Sequence, residues 1–469
     1  MKSLPTTTIR RYKEAPESLD SGVWFTDGRV VARKSQVVTV MAHIEPFTAI
    51  RYSATDLSNL VAPPYDILDE ADKAALLAKD DHNIVDIDLP QAPAKAAGPD
   101  SVYEQAAGRL TSWLDIHCLL RDRQPAIYVY HQTYRVGRRA LTRKKFFVRL
   151  KLEPFGSGGV FAHEETFGGP KEDRLKLTIA TRCNVSPIFG LYPDSGNEIA
   201  AVLDGQAARE ADQFALLDGV ENRLWVVTDR ATIQAVQAKL ADKPVFIADG
   251  HHRYATALSY RQRETSESGE PSAQDPVNYV LAVLGGMEDP GATIHPYHRT
   301  IVDVPGLSAA AMNSSMAAAF TWSVGKPPSD AADLAARLAS AGPGAIGFYL
   351  GRERVFATAT PKAPDFLVAY EPRRKPPWRR LSYSILHRYV LGEVIGPKFC
   401  GGAAPTVHYH KSLEEAVKDA EGSAGLAALM PATTMQQLRD VCTSGELMPQ
   451  KSTYFYPKLA TGMVLNPLY

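Results

Sequence analysis

The chain has 469 residues, with 52 Lys and Arg against 52 Asp and Glu, so its formal net charge is zero. That balance supplies no general field for nucleic acid, and 45% hydrophobic with 22% charged residues is the composition of a globular protein of about two or three domains. The four cysteines (Cys118, Cys183, Cys400, Cys442) form no CxxC pair, and no apolar run reaches the roughly 18 residues of a membrane span. Reduced thiols and a cytoplasmic location are the simplest expectation.

Residues 1–40 are rich in Thr, Ser, Arg and Lys and lack a clear period apart from a hairpin-like stretch at 28–39. They read as a flexible extension, with Met41 as an alternative start, and no apolar core follows their charges as in a secretory signal. A strand is expected at 46–52, followed by Ala62-Pro63-Pro64-Tyr65-Asp66, a stiff turn in which Asp66 either caps the next helix or walls a site. That helix is expected at 70–77, a strand at 83–89 and a helix at 101–115. Alternating aromatic and β-branched residues at 126–134 pair with 145–150 around Gly137 as a hairpin.

The segment Ala162-His163-Glu164-Glu165-Thr166-Phe167-Gly168-Gly169-Pro170-Lys171-Glu172-Asp173-Arg174 gathers acid, base and cation within one shaped loop. Glu164 beside His163 is the pairing that deprotonates a hydroxyl, and Lys171 with Arg174 neutralises phosphate charge; a solvated loop is the alternative. A strand follows at 184–192, and then helices at 198–213 and 229–241 flank a strand at 224–227. An apolar strand at 244–248 then runs into Asp249-Gly250-His251-His252-Arg253-Tyr254, where a Gly turn opens a helix reaching about Glu264. A strand, a Gly turn and a helix N-terminus present free N–H groups and a positive dipole end to an anion. Here Asp249 is available to a metal ion and Arg253 to a phosphate; the alternative is a plain cap with solvated histidines.

A buried strand is expected at 279–284, then His298-Arg299 at a strand end. Ala-rich helices at 307–320 and 331–341 with a strand at 345–350 carry no readable chemistry. The basic, proline-rich stretch 371–380 holds Trp378, and His408 and His410 share a strand face. Near the C-terminus, Pro449-Gln450-Lys451-Ser452-Thr453-Tyr454-Phe455-Tyr456-Pro457-Lys458 offers an ammonium and two hydroxyls at one turn, with Lys458 adding charge. No Walker sequence, dinucleotide fingerprint or nucleophile elbow is present.

Taken together, the Pro-Pro-Tyr-Asp, His163, Asp249 and Lys451 runs resemble the large prokaryotic family catalogued as domain of unknown function 1015, over roughly residues 44–469. More distantly, the Asp249 box is similar to the Asp-Gly-x-x-Arg box of the ParB/sulfiredoxin-like fold, which includes nucleotide-binding domains and free-serine kinases. Ala162 stands where the family usually has Pro, Tyr297 where it has Thr, and Ser382 in a region where it has an aspartate.

The resemblance implies an α+β protein with a mixed-sheet core at 41–304, an α/β insertion at about 91–240, and a C-terminal α+β region at 305–469 that completes the cleft. It implies a serine-kinase-like, nucleotide-dependent phosphotransferase using ADP or ATP, with Mg2+ at Asp249 and a small hydroxylated metabolite as substrate. Gly250, His251, His252, Arg253, Arg174, Lys451, Ser452, Thr453, His298 and Arg299 would hold phosphates, and Glu164 or His163 would be the base, with Asp249 and Lys171 assisting. Arg253→Ala is then expected to abolish nucleotide binding with the fold intact. A nucleotide sensor without turnover is the alternative, and a metal hydrolase using His251, His252, His295 and His298 ranks below both. Neither membrane nor nucleic acid is an expected partner.

Overall fold

Alternation along short apolar strands builds the centre of the molecule. In the strand Val245–Asp249, Phe246 and Ala248 enter one hydrophobic core while Val245 and Ile247 enter another. Phe147 and Phe146, Phe189 and Ile188, and Val283 and Leu284 divide between the same two cores, so the sheet is covered on both faces.

The computed structural model describes residues 42–469 apart from Lys95, Ser157 and Phe167. The expected N-terminal extension, its hairpin and Met41 lie outside the described residues. Among the described residues, nine strands form the main sheet in the order Val160–Phe161, Val245–Asp249, Ile188–Tyr192, Tyr279–Gly286, Arg139–Lys151, Ile127–Val136, Val220–Val227, Gln213–Leu217, with Ile44–Glu45 beside Arg139–Lys151. The strand Val245–Asp249 is parallel to one neighbour and antiparallel to the other, so the sheet is mixed and the class is α+β, as the sequence indicates. A second, antiparallel sheet has the order Phe320–Gly325, Val355–Pro361, Ile346–Leu350, Leu426–Leu429, His298–Val302, Thr406–His410. No helix of the described residues is long and apolar enough to cross a membrane.

Two sequence expectations give way. The run at 83–89 is a helical turn, Val85–Asp88, not a strand. Asn83 causes the bend: its side-chain oxygen accepts the Val85 N–H at 3.0 Å and its amide donates to the Asn59 and Val61 carbonyls. Because Ile84, Val85 and Ile87 are all buried, the run carries no period to separate helix from strand. The helix expected at 198–213 stops at Asp204, before Gly205, and Gln213–Leu217 is a strand. Its hairpin partner Val220–Val227 follows the turn Asp218-Gly219, both at positive φ, an Asp-Gly signal for a tight hairpin.

The C-terminal segment weaves back through the main-sheet half. Tyr454–Tyr456 pairs with Thr293–His295, Thr461 bridges Ala62, Leu465 bridges Ile50, and Asn466–Pro467 pairs with Cys183–Asn184. A backbone cradle holds it: Arg143 donates to the carbonyls of Tyr456 and Pro457, and Gln132 donates to that of Lys458 at 2.9 Å.

His298, on the strand His298–Val302, is 2% exposed and its Nδ1 accepts the Met430 N–H at 3.0 Å. Burial, then the neighbouring Arg299 and His410, lowers its pKa to about 4. The unfolded chain therefore takes up the proton first as pH falls, so stability is complete above the ordinary histidine value and is lost below it. This residue alone should remove about 2 kcal/mol between pH 7 and pH 5. Urea unfolding at the two pH values, in wild type and His298→Asn, measures it; an identical pH dependence in both would refute the assignment.

Candidate functional site

The strand Val245–Asp249 ends in the carboxylate around which the site is built. Gly250 follows at φ +90°, and the helix His251–Ser268 starts with no side chain capping it. A Cβ at Gly250 would lie 3.0–3.2 Å from the Arg253 guanidinium, so glycine satisfies both the backbone and the close approach. Arg253 turns back to donate to Asp249 Oδ2 at 2.7 Å and to the Pro187 carbonyl. Lys458, from the C-terminal segment, donates to Asp249 Oδ1 at 2.5 Å. Burial opposes the charge on Asp249, but Lys458 and then Arg253 outweigh it and hold the carboxyl far below the usual range. Burial likewise opposes the Lys458 ammonium, and Asp249 outweighs that in turn.

His163 joins three distant segments in one buried contact set. Its Nδ1 donates to the Ile247 carbonyl at 2.8 Å, so the lone pair of Nε2 accepts the Thr453 hydroxyl at 2.9 Å. The His163 backbone N–H donates to Nε2 of His251 at 3.2 Å, which places the His251 ring proton on Nδ1. The two rings meet edge to face with centroids 4.5 Å apart. Burial, the largest influence on each ring, lowers the pKa of both histidines, so both are neutral at pH 7.

Around this base, charges from separate elements face one another. Lys451 is exposed at φ +55° and lies 5.5 Å from the Tyr297 ring, while Lys411 and Lys458 approach the Tyr454 ring at 5.4 and 5.6 Å. These two rings lie 5.3 Å apart, so the three ammonium groups gather on one aromatic pair, and burial, then Lys458 and Lys451, lowers the pKa of Lys411. Asp66 acts on Lys458, Arg253, Lys411 and His252, and Glu164 also acts on His252. The half-buried His252 is thus flanked by two carboxylates, although burial is the largest influence on it and lowers its pKa.

Other singled-out residues lie behind this surface. Arg299 is fully buried and donates to the Gln450 and Lys451 carbonyls, both at 2.9 Å, which fixes the turn that presents Lys451. Ser452 is buried and donates to the Pro449 carbonyl. Arg174 pairs with Asp173 and Asp88, with its guanidinium 3.8 Å from the Tyr65 ring centroid and Arg253 5.9 Å from that centroid. Lys171 lies on the helix Gly168–Thr181, where its carbonyl accepts the Thr256 hydroxyl at 3.3 Å. Asp66 does not cap the helix Glu70–Leu77; Asp69 does, in a capping box with Asp72.

Arg253→Ala would remove one of the two cations on the half-buried Asp249 carboxylate, so a loss of stability is expected alongside any loss of binding. Both Asp249 oxygens already accept from cations, which does not fit a magnesium ligand. Among the described residues no group of three or more His, Cys, Asp or Glu is arranged to hold a metal.

Lys411 carries no motif in sequence, and Lys458 reads there only as added charge. The strand Tyr454–Tyr456 before it pairs with Thr293–His295 and not with the strand that carries Asp249, so no local signal links Lys458 to that carboxylate.

A comparison with protein families matches residues 44–384, more than half of the chain, to the family described as protein of unknown function, DUF1015. The chain belongs to that family. No protein of curated function matches it. Among solved structures, the DUF1015 protein is similar to a free serine kinase variant in complex with ADP, at 11% identity and TM-score 0.31, covering 63% of this chain and 84% of that one. It is similar to SbnI with C-terminal truncation from Staphylococcus aureus, at 10% identity and TM-score 0.32, covering 66% and 84%. A conserved hypothetical protein from Pyrococcus furiosus stands at 12% identity and TM-score 0.30, covering 64% and 89%.

Proposed function

We propose that this DUF1015 protein is a nucleotide-dependent phosphotransferase that acts on a small hydroxylated metabolite. The observation that carries this reading is the gathering of Lys411, Lys451 and Lys458 on the adjoining Tyr297 and Tyr454 rings, with Lys458 bonded to the carboxylate just before the uncapped N-terminus of the helix His251–Ser268. Like charges crowd at a cost that a polyanion relieves, and a helix N-terminus adds N–H donors aimed at it. The nucleotide phosphates rest against the lysines and the first-turn N–H groups, with Asp249 anchoring Lys458 and Arg253.

Asp66 or Glu164 receives the proton of the substrate hydroxyl. The freed oxygen forms its bond to the transferred phosphorus as the bond from phosphorus to the nucleotide breaks, and the cations hold the charge that passes between them. His163, neutral and bonded at both ring nitrogens, holds the walls of the site together.

The test is calorimetric titration of ADP, ATP and tripolyphosphate into wild type and Lys451→Gln, because Lys451 is exposed and its loss leaves the core untouched. Removing one charge-assisted phosphate contact should weaken each ligand roughly tenfold. Equal affinities in the two proteins would reject the reading.

A further inference from the structure

Beside the lysine cluster lies a hollow of a different chemical character. Glu165 and Gln450, the neighbours of Glu164 and Lys451, line a cavity of about 490 Å3 together with Trp378, His387, Arg388 and Tyr409. That volume falls in the range of roughly 300–1,000 Å3 typical of sites for small organic ligands.

The cations on its wall, Arg374 and Arg388, are already paired. Arg388 is paired with Glu371 at 2.6 Å and with Glu393, so the cavity does not compete with the lysines for phosphate. What remains is aromatic surface and the Glu165 carboxylate, which repels phosphate. Tyr409 is 42% exposed at the cavity, and the Arg299 guanidinium lies 5.2 Å from its ring centroid. The same guanidinium holds the Gln450 and Lys451 carbonyls at 2.9 Å, so one buried side chain fixes both the aromatic platform and the lysine turn. Deeper in the wall, Nε2 of His387 is buried without a hydrogen-bond partner among the described residues. Its ring is kept neutral by burial, with a pKa of about 4. That nitrogen is closed to the cavity, so the ring adds a neutral wall rather than a charge.

We propose that this cavity receives the planar base of the nucleotide, stacked on Tyr409, while the phosphates lie at Lys451. The assignment rests on the phosphate-binding reading above.

Calorimetric titration with tripolyphosphate and with ADP, GDP, CDP and UDP separates the two. In wild type, one nucleotide should bind at least tenfold more tightly than tripolyphosphate. Tyr409→Ala should weaken that nucleotide about tenfold through lost stacking, with tripolyphosphate unchanged and Tyr409→Phe restoring affinity. No nucleotide surpassing tripolyphosphate, or Tyr409→Ala leaving the nucleotide unaffected or weakening both probes alike, overturns the base subsite and leaves the phosphate site standing. Failure of every probe to bind wild type overturns both.

Discussion

Asp249→Asn should destabilise the protein by about 3–5 kcal/mol, because it leaves the charges of Lys458 and Arg253 in a half-buried pocket without their counter-ion. The pH dependence identifies the cause. Asp249 has a depressed folded pKa, so its contribution is complete above the ordinary Asp value near 3.9 and is lost as pH falls below it. Lys458 has a raised folded pKa, so its contribution is complete below the ordinary Lys value near 10.4 and is lost as pH rises through the folded value. The gap between wild type and variant should therefore stay flat from about pH 5 to pH 9 and close only at the extremes. Urea unfolding across that range measures it. A gap under about 1 kcal/mol at pH 7 would mean that the pair is no stronger than a surface contact.

His163→Ala should lower stability by a similar amount, about 3–5 kcal/mol, through the cavity it leaves and the partners it strands. The Ile247 carbonyl and the Thr453 hydroxyl both lose their ring partner inside the core. A histidine that served only as a base would behave otherwise, since its removal would abolish turnover with little change in unfolding. Unfolding of His163→Ala, Thr453→Val and the double variant decides between these roles. The two substitutions should be strongly non-additive, because the second removes a partner already orphaned by the first. Simple additivity would show that the ring and the hydroxyl do not act as a unit.

Much of this architecture is legible from residue order. The Asp249 turn announces itself because a run of apolar β-formers meets Gly at a helix start, and the hairpin at Gly137 shows in the β-branched and aromatic residues of its first strand. The turn at Asn83 is illegible for the opposite reason: Ile84, Val85, Ile87, Asp88 and Leu89 are all buried, so no clear polar face reveals a period. At the site, motif residues are visible by type and hidden by task. His251 and His252 are adjacent in sequence, yet one ring accepts a backbone N–H in the core and the other faces two carboxylates. Arg299 looks like a ligand for phosphate and is a clamp on two carbonyls. Local order cannot reveal these roles, because each depends on which distant segment the side chain meets.

Thr453 is 290 positions from His163 and Lys458 is 209 from Asp249, yet each closes a contact at the heart of the site. A growing chain that has released the Asp249 turn from the ribosome still lacks both partners. Until the later segment emerges, Arg253 is the only cation on the carboxylate, and the hydroxyl that completes the His163 web does not yet exist. Synthesis therefore builds in a delay between making the first half of the site and arming it. The contacts at Asp249 and His163 are completed only when the C-terminal segment is in place.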